Sequence, residues 1–406
     1  MTSRSKFVIS ILIAILVTAV CTGYATSFYM RYSAAAAGDR NYLTNAEFVQ
    51  WNKYKRLTEV EKMIHENYYQ QVDDEKLVTG AINGMLAAMG DPYSAYYTPE
   101  EYTSLMQAQQ GTYAGIGVRI TIGDDQLVTI VEVFEDSPAL AAGLQPGDKI
   151  VQVDGADVTG MELDSVSAKI KGTIGTEVAL GVKRGEESLS FSVQRQTVTL
   201  KQIAYEMLQN DIGYITIDTF NGDAKEGFLN AINTLKRDGA KGFIVDIRWN
   251  PGGHVDIVCD ICDALLPAGT IVSTVTRQGV SETYKSDANY LNMPIVVLVN
   301  GSSASASEIM AGALQDYGLA KIVGNKTFGK GVVQTIWPFR SDGAGVKLTT
   351  SVYYTPNGRS LHQVGITPDY EVSLPAELEY NPSALTEQND TQLQKGIEVL
   401  RGLIGQ

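Results

Sequence analysis

The rhythm of apolar and polar positions changes along the chain and divides it into stretches with different expected structure. Phe7–Met30 is an uncharged, largely apolar run, long enough to cross a bilayer as a helix. From about residue 41 to 89 the apolar positions Phe48, Trp51, Leu57, Val60, Met63 and Ile64 recur at helical spacing, and a second helical run ends at Gly90-Asp91-Pro92. From 111 to 197 short alternating runs sit between turn residues, with one helical patch near MELDSVSAKIKG, which predicts a β-rich domain. From 199 to 373 apolar strands lead through glycine turns into helices twice over, in KGFIVDIRWNPGGHVDIV and MPIVVLVNGSSASASEI. Strand–turn–helix units of that kind predict an α/β core. The tail, 374–406, carries one amphipathic stripe of Leu393, Ile397, Leu400 and Ile404. The expected organisation is therefore a multidomain α/β chain: a short leader (1–6), a membrane helix (7–30), a helical region (41–110), a β-rich domain (111–197), an α/β core and a tail.

Charge and cysteines narrow the picture. A net charge of −14 argues against nucleic acid as a partner. Arg4 and Lys6 precede the apolar run and a long acidic chain follows it, which places the larger part outside the cytoplasm on a single-pass anchor. Ala34–Ala37 offers a small-residue cleavage site as an alternative, and Cys21 lacks a good lipobox. Cys259 and Cys262 form a C-x-x-C in a helical pattern. Two buried helix positions account for it; a zinc site would need further ligands, and a disulfide is the remaining alternative.

The chemistry-bearing residues lie in the α/β core. Four serines, Ser302, Ser303, Ser305 and Ser307, crowd the turn before a helix, and the sequence alone does not choose among them. Ser302 and Ser303 also suit helix caps. Lys330 stands between Gly329 and Gly331 and before Val332 and Val333. Glycines allow close backbone approach, and an apolar setting keeps an amine neutral enough to take a hydroxyl proton. If Lys330–Gln334 is one strand, lysine and glutamine share a face, and Gln334 can position the amine. A helix opening after Ser305 offers the Ala306 N–H to a developing oxyanion. Of the three histidines, His254 is the alternative base, while His65 lies among charges in the N-terminal helical region as a surface residue and His362 has no partner acid.

These segments resemble the carboxyl-terminal processing proteases, or tail-specific proteases, of peptidase family S41. The resemblance rests on NGSSASASEIMAGALQDYG, GNKTFGKGVVQ, GDPYSAYYTPEEY and TPNGRSLHQVGITPDYEV, and on SPALAAGLQPGDKIVQVDG, which is similar to a PDZ domain. It implies a serine endopeptidase acting on proteins or peptides with accessible C-termini, with no metal or organic cofactor. By that resemblance Ser305 is the nucleophile, Lys330 the general base, Gln334 its positioner, and Gly252 or Gly253 the second oxyanion donor. It also implies that the PDZ domain spans 111–197, with Gly115, Ile116, Gly117 and Val118 holding the ligand's carboxylate and Lys171 coupling peptide binding to activation; a plain surface lysine is the other reading. The helical region becomes a candidate homodimer contact, with a hairpin on its own chain as the alternative. A catalytically silent PDZ scaffold and a non-proteolytic acyl hydrolase are the competing functions.

Overall fold

The computed structural model describes residues 3–36, 45–123, 125–376, 378–379 and 384–405. The chain divides into two compact units, residues 1–82 and 83–406.

The first unit is helical: α1 (Ser3–Ala36), α2 (Asn45–Asn67) and most of α3 (Asp74–Ala87). The two runs expected between 41 and 89 are thus α2 and α3. Lys55–Glu59 and Lys62–Glu66 pair at i,i+4 on α2 (3.6 Å each), a modest support for a solvated helix. Phe48, Leu57, Val60 and Met63 of α2 are exposed. Among the described residues no helix is long and apolar enough to cross a membrane. The expected span 7–30 is helical, but its described side chains are those of residues 13–29; both ends lie outside the described ones.

The second unit opens with β1 (Ala95–Tyr97) and α4 (Pro99–Gln109). Thr98 and Glu101 form a capping box at the start of α4, with Pro99 in the first turn. A β-rich body follows: β2 (Thr112–Gly115), β3 (Val118–Ile122), β4 (Val128–Val133), α5 (Pro138–Ala142), β5 (Lys149–Val153), β6 (Ala156–Asp157), α6 (Leu163–Ile170), β7 (Glu177–Arg184), β8 (Glu187–Gln194) and β9 (Gln196–Thr199). Its sheet runs β3-β4-β5-β7-β8 around a core of its own that includes Ile130, Ile150, Leu180 and Val166, while β2 pairs with β9.

The α/β core contains β10 (Ile203–Leu208), β11 (Ile212–Ile217), α7 (Ala224–Arg237), β12 (Gly242–Asp246), α8 (Val255–Asp263), β13 (Gly269–Thr276), β14 (Gly279–Ser286), β15 (Ile295–Val299), α9 (Ala306–Asp316), β16 (Ala320–Gly324), β17 (Val332–Pro338), β18 (Gly345–Tyr354), β19 (Tyr370–Glu371) and α10 (Thr391–Ile404). Its main sheet runs β10-β11-β12-β15-β16-β19, parallel except at β10. Every residue of β12 and β15 is buried, as a strand covered on both faces must be. Phe228 of α7, Ile261 of α8 and Met310 of α9 join one core with Val245 and Val297. Leu393 and Leu400 of α10 join another with Ile244, Val296 and Leu298. Burying such a side chain fully contributes about 1.5–3 kcal/mol.

The amphipathic helix of the tail, α10, covers a core face, because its apolar stripe meets the alternate side chains of β12 and β15. Within the expected helical region 41–110, the short strand β1 pairs in register with β18 (Ala95 opposite Lys347). A second sheet runs β1-β18-β13-β14, with β17 also on β18.

Candidate active site

Two strand–turn–helix units end at one cavity of about 420 Å³, lined among others by Gly253, His254, Ser305, Lys330, Gln334 and Lys347. Leu105, Ile309, Val332 and Tyr353 give it apolar wall. Of the four crowded serines, only Ser305 lines it. Ser303 is buried, its hydroxyl donating to the Ile247 carbonyl (2.7 Å) and accepting from the Asn300 N–H (3.0 Å). The Ser307 hydroxyl donates to the Asn250 carbonyl (2.9 Å), and Ser302 is exposed on the turn. The cap position of α9 is Ser305 itself, not Ser302 or Ser303.

Ser305 has φ +55°, which non-glycine residues rarely adopt and which costs about 1–3 kcal/mol unless the surroundings enforce it. Glu308 does much of that enforcing. Its buried carboxylate accepts from the N–H of Ser305 (3.0 Å) and of Lys330 (2.8 Å) on Oε2, and from the Thr327 hydroxyl (2.6 Å) and the Gly329 N–H (2.7 Å) on Oε1. One side chain therefore fastens the serine's backbone to the lysine's. Tyr353 adds a second tie: its buried hydroxyl lies 3.1 Å from the Ser305 carbonyl oxygen and 3.0 Å from that of Lys330. Sequence reasoning missed both residues. The signal for Glu308 was present as S-x-x-E, a capping-box spacing at the helix start; Tyr353 carried none.

Burial, then the nearby Lys347 charge, lowers the Lys330 pKa from the ordinary lysine value, against the opposing pull of Asp91 and Glu308. Its Nζ lies 5.0 Å from the centre of the Tyr93 ring. The flanking glycines are explained by the loop around His362. A Cβ on Gly331 would sit 2.3 Å from the His362 backbone nitrogen, and Gly329, at φ +91°, backs onto residues 363–365.

The alternation argument for Gln334 fails in detail. The strand begins at Val332, not Lys330, and its register with β18 shifts between Val333 and Gln334, where β18 carries one extra residue, Thr350. Val332, Val333 and Gln334 all line the cavity, which strict alternation would not allow. The Gln334 amide reaches the site but donates to Thr349 Oγ1 (3.3 Å).

Across the cavity, the Asn250 amide donates to the Ile217 carbonyl (2.8 Å) and its oxygen accepts from the Gly252 N–H (2.8 Å). Gly252 is thus already engaged as a donor. Its role is space: a Cβ there would lie 2.8 Å from Ser305 Cβ and 3.0 Å from the Ala306 nitrogen. Gly253 is exposed to the cavity, and its N–H has no partner among the described residues. Ala306 is the first residue of α9, where a backbone N–H has no intrahelical acceptor. Beneath this loop the buried Arg248 guanidinium binds Asp246 (2.6 Å) and Asp390 (2.7 Å), tying α10 to the turn.

The remaining expected residues separate. His254 lines the cavity, with Nδ1 3.8 Å from Asp256. His362 packs against Gly331, and His65 lies beside Asp74 (2.9 Å) in the first unit. In the β-rich body, Gly115, Ile116, Val118 and Lys171 line a groove of only about 30 Å³ with Tyr113. Gly117 stands at φ +80°, where a Cβ would meet Ser137 at 2.3 Å. The Lys171 Nζ lies 5.6 Å over the Tyr113 ring, so this lysine faces the groove. Cys259 and Cys262 are unpaired and buried on α8, and burial raises both thiol pKa values.

Residues 211–372 match peptidase family S41, residues 105–183 match the PDZ domain, and residues 16–101 match the N-terminal domain of the activating protease CtpB. A carboxy-terminal-processing protease of Bartonella bacilliformis is 36% identical over 347 residues, which is 83% of this chain and 79% of that protein. Carboxy-terminal processing protease CtpA of Bacillus subtilis is 35% identical over 90% of this chain and 78% of its own length. A solved structure of a candidate S41 protease from Bacteroides fragilis shares the fold, with a TM-score of 0.53 at 18% identity over 83% of this chain and 92% of that one.

Proposed function

Because the chain belongs to the carboxy-terminal processing serine proteases of peptidase family S41, we propose that it cleaves peptide bonds with a Ser305–Lys330 dyad. The single observation carrying this reading is that Ser305, alone of the four crowded serines, shares a cavity with Lys330, while Glu308 holds the two backbones together. The Lys330 amine takes the Ser305 proton as Oγ attacks the scissile carbonyl. The oxyanion receives the N–H groups of Ala306 and Gly253. The protonated amine then passes its proton to the leaving nitrogen, and water resolves the acyl-enzyme by the same route reversed. Gln334, which lines the same cavity, helps to orient the amine.

The substrate is a protein with an accessible C-terminus. The PDZ groove adds that end as a strand, with Gly115–Val118 at the carboxylate and Lys171 at the groove's rim. The uncharged run Phe7–Met30 supports a single-pass anchor with the catalytic unit outside the cytoplasm. The exposed apolar side chains of α2 support pairing with a second copy.

Digestion of an unstructured protein such as casein tests the reading. The wild-type chain should degrade it, and Ser305→Ala and Lys330→Ala should each reduce cleavage to background with an unchanged melting temperature. A wild-type chain that binds C-terminal peptides but never cleaves would instead identify a scaffold.

A further inference from the structure

A second amine shares the catalytic cavity. Lys347 lies on β18, between Ala95 of β1 and Ile336 of β17 in the strand register. Two residues along the same strand, Thr349 holds the Gln334 amide, so Lys347 and Thr349 leave β18 on one face. That face is cavity wall, for Lys330, Gln334, Ile336 and Lys347 all line it. Each amine is seated against a different tyrosine of one short segment. Lys330 Nζ is 5.0 Å from the Tyr93 centroid, and Lys347 Nζ is 5.3 Å from the Tyr97 centroid. An aromatic face steadies a cation that has lost part of its water.

The other groups facing Lys330 are Asp91 from the segment before β1, Glu308 from α9, and His254 across the cavity. Both carboxylates are engaged elsewhere. Glu308 accepts from three backbone N–H groups and Thr327. Asp91 accepts from the Ser94 hydroxyl (2.5 Å) and the Tyr93 N–H (3.1 Å). Their charges still favour a protonated Lys330, but burial and the Lys347 ammonium oppose it, because like charges in a shared, partly dry space repel.

We propose that Lys347 is a positioning residue for the reaction: seated over Tyr97, it carries the cavity's positive charge and leaves Lys330 as the free base toward Ser305. The inference rests on the assignment of Lys330 made above. It also gives Tyr97 and Tyr93 distinct duties, one holding the charge-bearing amine and one bounding the reactive amine.

The test is the pH dependence of kcat/KM for cleavage of a reporter peptide by the full chain and by Lys347→Gln, Lys347→Arg and Lys330→Ala. Lys347→Gln should move the rising limb up by about one pH unit. The loss is then about tenfold below the midpoint and shrinks toward the alkaline plateau. Lys347→Arg keeps the charge and should return the midpoint to the wild-type value. A Lys347→Gln chain that melts normally yet keeps the wild-type midpoint, or loses the same factor at every pH, overturns the proposal. Should that variant fail to fold, Lys347→Met answers the same question. Lys330→Ala distinguishes the two failures. If it stays active, the base assignment falls; if it is dead while Lys347→Gln keeps its midpoint, only the role of Lys347 falls.

Discussion

The two strand–turn–helix units that meet at the cavity share a layout and differ in what they deliver. β15 leads into α9 through a serine at φ +55° whose backbone is gripped by a buried carboxylate. β12 leads into α8 through two glycines at φ +109° and +150°, with His254 at the cap position and no side-chain cap bond. In the proposed reaction the first unit holds its nucleophile in a strained turn, and the second removes side chains so that backbone can approach it. The difference teaches that one structural device can be put to opposite uses, depending on whether its turn carries a held side chain or none.

Breaking the first unit should have the larger effect. Glu308→Ala leaves three backbone N–H groups and the Thr327 hydroxyl without their acceptor. Each donor left bare costs roughly 1–3 kcal/mol. Denaturant unfolding should show a clear loss of stability, and proteolysis by the folded fraction should be close to background. Retention of wild-type activity per folded molecule would mean that the clamp does not position the dyad. In the second unit, Gly252→Ala forces a Cβ to within 2.8 Å of Ser305 Cβ. Its expected signature is a fall in kcat of about 10²–10³ through a displaced oxyanion site, read in steady-state kinetics beside an unchanged circular dichroism spectrum. His254→Gln sharpens the contrast. If His254 were the base, kcat/KM would drop about 10²–10⁴-fold; the dyad account expects a much smaller change. Smallest of all, Cys262→Ala should lower stability by about 1 kcal/mol through lost packing and leave the cleavage rate alone.

Much of this arrangement was legible in the sequence, but unevenly. The glycines around Lys330 and the strand–turn–helix rhythm around Ser305 are local patterns, and local patterns survive folding. The stripe of α10 was legible as a helix, yet not as a cover for β12 and β15, since a helix's partner is a tertiary fact. The choice between Gly252 and Gly253 needed the Asn250 side chain, which claims the Gly252 N–H. Strict alternation misread Gln334, because the register shift opposite it comes from an extra residue, Thr350, on the partner strand and leaves no mark in the run Val-Val-Gln. Tyr353 and Lys347 were invisible for a simpler reason. They lie on β18 and reach the site only once that strand pairs with β17 and β1.

The most direct test of the central claim follows acylation alone, before product release can intervene. Stopped-flow burst kinetics with a p-nitrophenyl ester would give the rate of Ser305 acylation as a function of pH. The Lys330 pKa lies below the ordinary lysine value, through burial first and the Lys347 charge second. Its reactive, neutral form therefore grows as pH rises through that lowered value. The account predicts a burst rate that climbs with pH in the wild-type chain, with a midpoint below the ordinary lysine value of about 10.4, and that disappears in Lys330→Ala. A burst of wild-type size in Lys330→Ala, or a wild-type rate that ignores pH down to about 5, where essentially every lysine is protonated, would contradict it.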